Sequence, residues 1–327
     1  MKSFQYFTVV LLVSCIIVSC GSDKSVRIGF LLPNLTDVRY PKDRDFFSSK
    51  IAQLGGSVEF AEARNDAHMQ EEQAIQMIQK GVKVIVIAAV NQNLAASIVR
   101  YAHDKGVKVI AYERLIQNCD LDYFVAFDHF IVGKEQAGYA IQKKEGGNYV
   151  LLGGDKGDKN AELIKQGQHE ILAPVIKSGK INSLYDIFVE DWSSESAYIE
   201  MKKALVLSGQ KVDVVISAND GMIAGIRQAL DEEQRGYPVV VIGMDADPDA
   251  CQRIVEGKQT MTVFKSFRQQ AEIAAQLAID LARGNKIDKV QQSTFNKSIQ
   301  VPTILLQPVV VDSTNVKSTV LAETKQK

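Results

Sequence analysis

Nine residues that could bind a small ligand follow the ends of predicted β-strands. Each stands in the same strand-then-helix pattern, and together they are Arg39, Tyr40, Arg114, Asn160, Trp192, Asn219, Asp220, Asp245 and Lys265. In an open α/β sheet, ligands collect at the carboxyl ends of the strands, because the loops converge there while helices cover both faces. We therefore expect these side chains to line one site.

The chemistry of this set matches a ligand with many hydroxyl groups and an apolar face, namely a sugar. Each arginine can engage two neighbouring oxygens with one planar group, and hydrogen bonds to charged groups contribute about 1.5–3 kcal/mol each. The rings of Tyr40 and Trp192 could cover the C–H faces of the sugar. A second role stays open for Asp220, because it precedes a helix, where a side-chain oxygen commonly caps free N–H groups.

The elements that position these residues follow from an alternation of apolar runs and amphipathic runs along the chain. This alternation predicts βαβ units and mainly parallel sheets. Good helix patterns lie at 69–80 and 269–283, each ended by a glycine. Strands are predicted at 26–32, 57–61, 84–88, 108–112, 123–127, 149–153, 183–188, 212–217, 239–244, 260–264 and 303–311.

The alternation is interrupted near 127–130, near 265–267 and near 291–296. Three such crossovers predict two lobes made of discontinuous segments, 26–127 plus 266–290 and 128–265 plus 291–312, with a polar tail at 313–327. Two lobes joined in this way can close like a hinge on a ligand held between them.

The first twenty residues differ from the rest of the chain. Lys2 precedes an apolar run at 7–18, and the small residues Ser19 and Cys20 follow it. This pattern is typical of a secretory signal peptide, and the run is short for a membrane span. The cysteine resembles a bacterial lipobox, so we expect residues 1–20 to be a lipoprotein signal peptide and lipid on Cys20 to tether an exported protein to the membrane. Cys15 is a weaker lipobox candidate, and an uncleaved anchor is the alternative.

Composition and spacing exclude several classes of function. The chain has 327 residues and a formal net charge of −1, which gives no basic surface for nucleic acid. Cys119 and Cys251 have no C-x-x-C spacing, which favours free thiols, with a disulfide between them as the alternative. The four histidines are scattered, so we expect no metal site. The glycine-containing segment 153–157 lacks a phosphate-loop spacing and is interpreted as a strand-to-helix turn. Without a nucleophile-base pair or a cofactor fingerprint, we expect neither an enzyme nor a cofactor.

Four motifs occur in order along the chain: RYPKDRDF at 39–46, AYER at 111–114, GMDAD at 243–247 and TMTVFK at 260–265. With them the chain, from about residue 26 to about 311, resembles the D-xylose-binding members of the type I periplasmic sugar-binding family, the substrate-binding components of ABC transporters. The resemblance implies an α/β fold of two lobes, each a mainly parallel sheet flanked by helices, with three crossovers between them. It also implies that a pentose lies in the cleft between the lobes. The polar side chains that hold the pentose would be those of Arg39, Arg114, Asn160, Asn219, Asp245 and Lys265, and the rings of Tyr40 and Trp192 would stack on the sugar.

The chain departs from the family pattern at four positions. Tyr40 stands where tryptophan is expected, which reduces the stacking area and adds a hydroxyl group. Glu113 replaces an aspartate, Met244 a glutamine and Lys159 an asparagine, each next to a predicted ligand residue. These changes leave the sugar class intact and bear on which pentose binds.

The resemblance implies a monomeric protein that delivers a pentose, with D-xylose as the first candidate, to the permease of an ABC importer. In the alternative, the closed liganded form docks on a membrane histidine kinase or chemoreceptor. A transcription regulator on the same fold would need an N-terminal helix-turn-helix, and the signal segment takes that place here.

Overall fold

The chain folds into two lobes, each built on one sheet of mainly parallel strands. The computed structural model describes residues 25–324 except residues 38, 235, 288, 289 and 291. The predicted signal peptide and the predicted lipidation site Cys20 lie outside the described residues. Within the described part, no helix has both the length and the apolar character that crossing a membrane requires.

The elements alternate regularly along the chain. They are β1 (Arg27–Leu32), α1 (Arg39–Gln53), β2 (Ser57–Glu62), α2 (Ala67–Gln79), β3 (Val84–Ile87), α3 (Ala96–Asp104), β4 (Lys108–Tyr112), β5 (Tyr123–Phe127), α4 (His129–Lys143), β6 (Gly147–Gly153), α5 (Lys159–Lys177), β7 (Ile181–Phe188), a 3₁₀ turn (Glu190–Trp192), α6 (Ser194–Ser208), β8 (Val214–Ser217), α7 (Ile223–Glu233), β9 (Val240–Met244), α8 (Pro248–Val255), β10 (Met261–Phe264), α9 (Phe267–Arg283), β11 (Gln292–Phe295), β12 (Gln300–Leu306), β13 (Val309–Asp312) and α10 (Val316–Thr324).

The sheet of the first lobe has the order β11-β12-β5-β4-β3-β1-β2, and that of the second lobe the order β13-β10-β9-β8-β6-β7. Among the described residues, the only antiparallel pairings are those of β11 and β13 with a neighbour, and both of these strands lie at the edge of their sheet. The central strands are short apolar runs because helices cover both of their faces. All four residues of β3, Val-Ile-Val-Ile, are buried, as expected for such a strand. The predicted fold class is confirmed.

Close packing of α4 on α5 brings the first turns of both helices to the same edge of the second sheet. A Cβ atom on Gly133 would lie 1.9 Å from the carbonyl oxygen of Ile164, and one on Gly167 would lie 2.1 Å from that of Phe130. Glycine is therefore required at both contacts, since any side chain would force the helices apart. This packing places His129, the first residue of α4, and Asn160, the second residue of α5, at the cleft described below.

The prediction for the third crossover is wrong. The predicted strand 303–311 is two strands that lie in different sheets, β12 in the first lobe and β13 in the second. Residues 292–306 therefore belong to the first lobe, and the chain crosses to the second lobe after Leu306. Gln307 and Pro308 lie between the two strands, and Pro308 lacks the N–H that a ladder hydrogen bond would need at that position.

The prediction of a polar tail at 313–327 is also wrong over most of its length. Residues 316–324 form α10, and its Val316 and Val320 are buried against Cys251 and Ile254 of α8. The two apolar residues stand four positions apart, so they lie on one face of the helix. Two apolar residues in a polar segment were too weak a signal to predict it.

The prediction of free thiols is confirmed. Cys119 and Cys251 are buried and unpaired with each other. Burial raises the pKa of each thiol to about 11, so both stay protonated and behave as small apolar groups.

Candidate ligand-binding site

A cleft of about 890 Å³ opens between the carboxyl ends of the two sheets. The structure brings eight of the nine predicted site residues together in its lining: Arg39, Tyr40, Arg114, Asn160, Trp192, Asn219, Asp245 and Lys265. Asp220 is the exception. Because both lobes contribute, a ligand in this cleft would contact the two halves of the protein at once.

Arg39 begins α1, and three partners fix its guanidinium. Its Nε donates to Asp43 Oδ2 over 2.9 Å, its Nη1 lies 2.8 Å from Glu113 Oε1, and its Nη2 donates to Gln270 Oε1 over 3.2 Å. The ring centre of Phe267 lies 4.8 Å from its Cζ. A guanidinium has five N–H donors, so two remain available to a ligand in the cleft.

Lys265 continues this line of charges into the second lobe. It directly follows β10, is 2% exposed, and its Nζ lies 3.2 Å from Glu113 Oε1 and 3.1 Å from Asp245 Oδ1. Burial would lower the pKa of Lys265, but the charges of Asp245 and Glu113 outweigh burial and raise it. The ammonium therefore stays charged. Arg39, Glu113, Lys265 and Asp245 form a chain of alternating charges across the floor of the cleft.

Arg114 and Asn160 contact each other's lobe. The Nδ2 of Asn160 donates to the carbonyl oxygen of Glu113 over 3.2 Å. The Nε of Arg114 lies 3.7 Å from Asp158 Oδ2, and its Nη1 donates to the carbonyl oxygen of Ala89 over 3.3 Å. The side chain of Asp158 in turn accepts a hydrogen bond from the N–H of Asn160, which makes Asp158 the N-cap of α5. The loop after β4 and the first turn of α5 thus face each other across the cleft.

Several site residues have left-handed backbone conformations, which are uncommon outside glycine. Glu113 has φ 63°, Asp245 has φ 100° and Ala246 has φ 53°. The N–H groups of Asp245 and Ala246 donate to the carbonyl oxygen of Val263 and to Thr262 Oγ1. Such conformations cost on the order of 1–3 kcal/mol each and persist where the surroundings hold them. Here they aim the Glu113 and Asp245 side chains into the space between the sheets.

Trp192 is held over the end of β6 by its loop. Asp191 and Trp192 have φ 55° and 54°, and the Oδ2 of Asp155 accepts the N–H of Asp191 over 2.9 Å. A Cβ atom on Gly154 would lie only 2.3 Å from the Cη2 and Cζ2 atoms of the indole. Glycine at 154 is thus what allows the ring to take this position.

The two remaining predicted residues are fixed more simply. Tyr40 is 2% exposed, its ring centre lies 5.6 Å from Cζ of Arg39, and burial raises its pKa to about 12, so the phenol keeps its proton. Asn219 follows β8, and its Oδ1 accepts the N–H of Met222 over 3.2 Å, which orients the amide at the edge of the cleft.

The prediction that Asp220 lines the site is wrong, and so is the alternative that it caps a helix. Its carboxylate is buried below the cleft, where it accepts hydrogen bonds from Gln259 Nε2 and Thr262 Oγ1, each over 2.7 Å. It occupies the space that a side chain at 243 would fill, since a Cβ on Gly243 would lie 2.0 Å from Asp220 Oδ1. Burial, reinforced by the nearby carboxylates of Asp247 and Asp245, raises the pKa of Asp220 to about 8.

We expect Asp220→Asn to remove part of the pH dependence of stability. A raised carboxyl pKa means that the folded state holds a proton that the unfolded state releases above its ordinary pKa of 3.8. The stabilisation is therefore complete below that value and is lost as pH rises through about 8. At pH 9 the asparagine variant should have a higher free energy of unfolding than the natural protein, and so unfold at a higher temperature, whereas at pH 5 the two should differ little.

Thermal unfolding between pH 5 and 9 tests this prediction. Asp247, whose pKa burial raises to about 7, should leave a residual slope of the same sign. An unchanged slope in Asp220→Asn would show that this carboxylate is not the group responsible.

The relation of the chain to known proteins rests on both sequence and structure. Residues 28–286 match the model of the periplasmic binding protein domain. The chain is 38% identical to the D-xylose-binding periplasmic protein of Haemophilus influenzae, over 93% of this chain and 92% of that protein.

The chain belongs to the periplasmic binding protein family.

Solved structures agree with this assignment. An ABC transporter solute-binding protein from Clostridium phytofermentans with bound β-D-glucose has a TM-score of 0.84 and 28% identity, covering 92% of this chain and 98% of that one. The fructose-binding periplasmic domain of a hybrid two-component system has a TM-score of 0.75 and 25% identity, covering 91% and 94% of the two chains.

The cationic side chains in the cleft of this periplasmic binding protein are all paired with carboxylates. Among the described residues, the permanently charged cations in its lining are Arg39, Arg114 and Lys265, and each lies within 4 Å of a carboxylate. The acidic residues of the lining are more numerous: Asp37, Glu113, Asp155, Asp158, Asp191, Asp245 and Asp247. A phosphate or carboxylate ligand would meet this excess of negative charge, so the arrangement disfavours an anionic ligand. The clusters of histidine, cysteine and acidic side chains in the described part include none that could hold a metal ion.

The sequence analysis missed several residues of the lining. Glu113 and Met244 were expected beside the site and lie in it, and His129 and Asp158 also line the cleft. Amide side chains of the first lobe complete the lining, namely Asn34, Asn65, Asn91, Gln92 and Asn93. Most of these follow strand ends, so the rule that found the other residues could have found them too.

Proposed function

We propose that this periplasmic binding protein binds a neutral pentose between its lobes, with D-xylose as the first candidate. The observation that carries the proposal is the chain of paired charges on the floor of the cleft, together with the rings of Tyr40 and Trp192 in the same lining. Paired charges offer donors and acceptors at fixed positions, as sugar hydroxyls require, without net attraction for an anion. The relative named as a D-xylose-binding protein, at 38% identity, supports the choice of sugar.

The proposal extends to transport and tethering. A lobed protein that closes on its ligand needs no covalent chemistry, and the closed form would hand the sugar to the permease of an ABC importer. The sequence at Cys20 supports an exported lipoprotein held at the membrane by lipid. A cysteine-to-serine change at 20 should release the protein from the membrane fraction, whereas the natural protein should stay with it.

A fluorescence titration tests the sugar assignment. Trp192 is the only tryptophan in the chain and lines the cleft. In the protein from Gly21 onward, D-xylose should give a saturable change at micromolar concentration, L-arabinose and D-ribose weaker ones, and D-glucose little. D-Xylonate tests the charge argument, because its carboxylate should reduce binding. Absence of any sugar-dependent change in fluorescence, together with absence of heat in calorimetry, would refute the proposed function.

Asp245→Asn is expected to weaken D-xylose binding about tenfold, because a hydrogen bond to a charged group contributes on the order of 1.5–3 kcal/mol. Asparagine suits the test since it tolerates the positive φ of this position better than alanine does. Asp249→Asn on the exposed first turn of α8 is the matched control. Equal affinities in the two variants, measured by calorimetry, would remove Asp245 from the site.

A sensing role is the second candidate. The structural similarity to the fructose-binding domain of a hybrid two-component system favours it, because that domain shares the fold and belongs to a signalling protein. A deletion strain separates the two outputs. Loss of labelled D-xylose uptake indicates transport, while intact uptake with loss of xylose-dependent transcription indicates sensing.

A further inference from the structure

Glu113 is the most highly connected side chain of the cleft. It lies directly after β4 and is 4% exposed. Its Oε1 lies 2.8 Å from Arg39 Nη1 and 3.2 Å from both His129 Nε2 and Lys265 Nζ, while its Oε2 accepts from Gln270 Nε2 over 3.0 Å. Burial would raise the pKa of Glu113, but the charges of Arg39 and Lys265, followed by His129, hold it well below the usual range. The carboxylate is thus ionised and surrounded by donors.

The partners of Glu113 come from both lobes. Arg39 on α1 and Gln270 on α9 belong to the first lobe, as Glu113 does. His129 begins α4 and Lys265 follows β10, both in the second lobe. The carbonyl oxygen of Glu113 also accepts from Asn160 on α5. Three elements of the second lobe therefore meet at one residue of the first.

These contacts leave Glu113 little capacity for a ligand. A carboxylate offers about four acceptor sites, two on each oxygen. Three donors approach Oε1 and one approaches Oε2, so Oε1 is fully used and Oε2 keeps one site. All of these donors belong to the protein, so the contacts can form with or without a sugar. A buried carboxylate with this many protein donors holds those donors in place.

We propose that Glu113 is an interlobe tie, a positioning residue whose carboxylate fastens His129 and Lys265 of the second lobe to Arg39 and Gln270 of the first lobe and favours the closed arrangement of the sugar-free protein. The inference deepens the proposed function and rests on it only for the effect on sugar. Glutamate suits the role because its carboxylate reaches Arg39 Nη1 and Lys265 Nζ together, over 2.8 and 3.2 Å. Closure that is partly present before binding would slow the escape of the sugar.

Small-angle scattering of the sugar-free protein tests the tie directly. We expect Glu113→Gln to increase the radius of gyration relative to the natural protein, and Glu113→Asp to give an intermediate value. Glu170→Gln is the matched control, because Glu170 is an exposed carboxylate that pairs with Lys134 inside the second lobe over 2.8 Å. Equal radii for the natural protein, Glu113→Gln and Glu113→Asp would overturn the inference. If the glutamine variant does not fold, the aspartate variant alone decides.

Stopped-flow fluorescence of Trp192 provides the second measurement. The dissociation rate constant of D-xylose should rise about tenfold in Glu113→Gln, within the range typical of coupling between distinct parts of a protein, and the association rate constant should change little. An unchanged dissociation rate would contradict the tie. If the natural protein binds no sugar, the proposed function fails, whereas the sugar-free radii still test the tie.

A double-mutant cycle with Lys265→Met makes the test specific. In the sugar-free protein, Lys265→Met should expand the molecule less when Glu113 is already glutamine, because the contact between them is already lost. Independent, additive effects on the radius of gyration would show that the two residues do not act together, and would refute the tie.

Discussion

Replacement of Arg39 by methionine is expected to reduce D-xylose affinity by about a thousandfold and to lower the free energy of unfolding by about 3 kcal/mol, because removing one partner of a buried ion pair leaves the other uncompensated. Asp43 is 0% exposed and Glu113 is 4% exposed, so neither carboxylate can turn to solvent. The ligand would also lose the two N–H donors that Arg39 still offers. Calorimetric titration and urea unfolding measure the two effects.

Two further variants separate the loss of charge from the loss of geometry. Arg39→Lys keeps the charge, but one ammonium cannot replace three guanidinium nitrogens bonded to three partners, so binding should weaken while folding is largely kept. Arg44→Met on the same helix is the control, because Arg44 pairs with the exposed Asp45 at the surface and such pairs contribute about 0–1 kcal/mol. An Arg39→Met protein that binds sugar as the control does would rule out Arg39 as a ligand residue.

Much of the fold could be predicted because its signals are local. An apolar run such as Val84–Ile87 is short and bounded by polar residues, which indicates a buried parallel strand. The rule that ligands collect at the carboxyl ends of strands then brought distant residues such as Arg39 and Trp192 into one site. The apolar pattern alone did not separate β12 from β13, because only Gln307 and Pro308 stand between their two apolar runs.

The misjudged site residues depend on contacts that no local pattern contains. Asp220 and Asn219 are neighbours after the same strand, yet only Asn219 reaches the cleft, because the missing side chain of Gly243 leaves a space below it that Asp220 fills. Glu113 and Lys265 are 152 positions apart in the sequence and meet only in the folded chain. Such roles follow from tertiary packing, so sequence spacing alone could not reveal them.

Gly154→Ala is expected to weaken D-xylose binding on the order of a hundredfold, because displacing one large aromatic from a binding site commonly costs 2 kcal/mol or more. The new methyl group would lie 2.3–2.4 Å from three atoms of the Trp192 indole, far inside van der Waals contact. Residue 154 follows the last residue of β6, and the φ of Gly154 is not positive, so the backbone itself accepts alanine. The ring should therefore move while the fold remains.

The emission of Trp192 reports this displacement directly, and its maximum should shift in the sugar-free Gly154→Ala protein. Gly138→Ala is the control, because Gly138 lies on the exposed face of α4 with no atom within 4 Å of a new Cβ. If the effect acts through the ring, calorimetry should find that Gly154→Ala and Trp192→Ala combined bind no more weakly than Trp192→Ala alone. Additive losses in the double variant would mean that Gly154 affects the sugar by another route. The absence of a side chain at residue 154 should therefore matter for sugar binding as much as the tryptophan does, since the indole can cover a sugar only where residue 154 leaves it room.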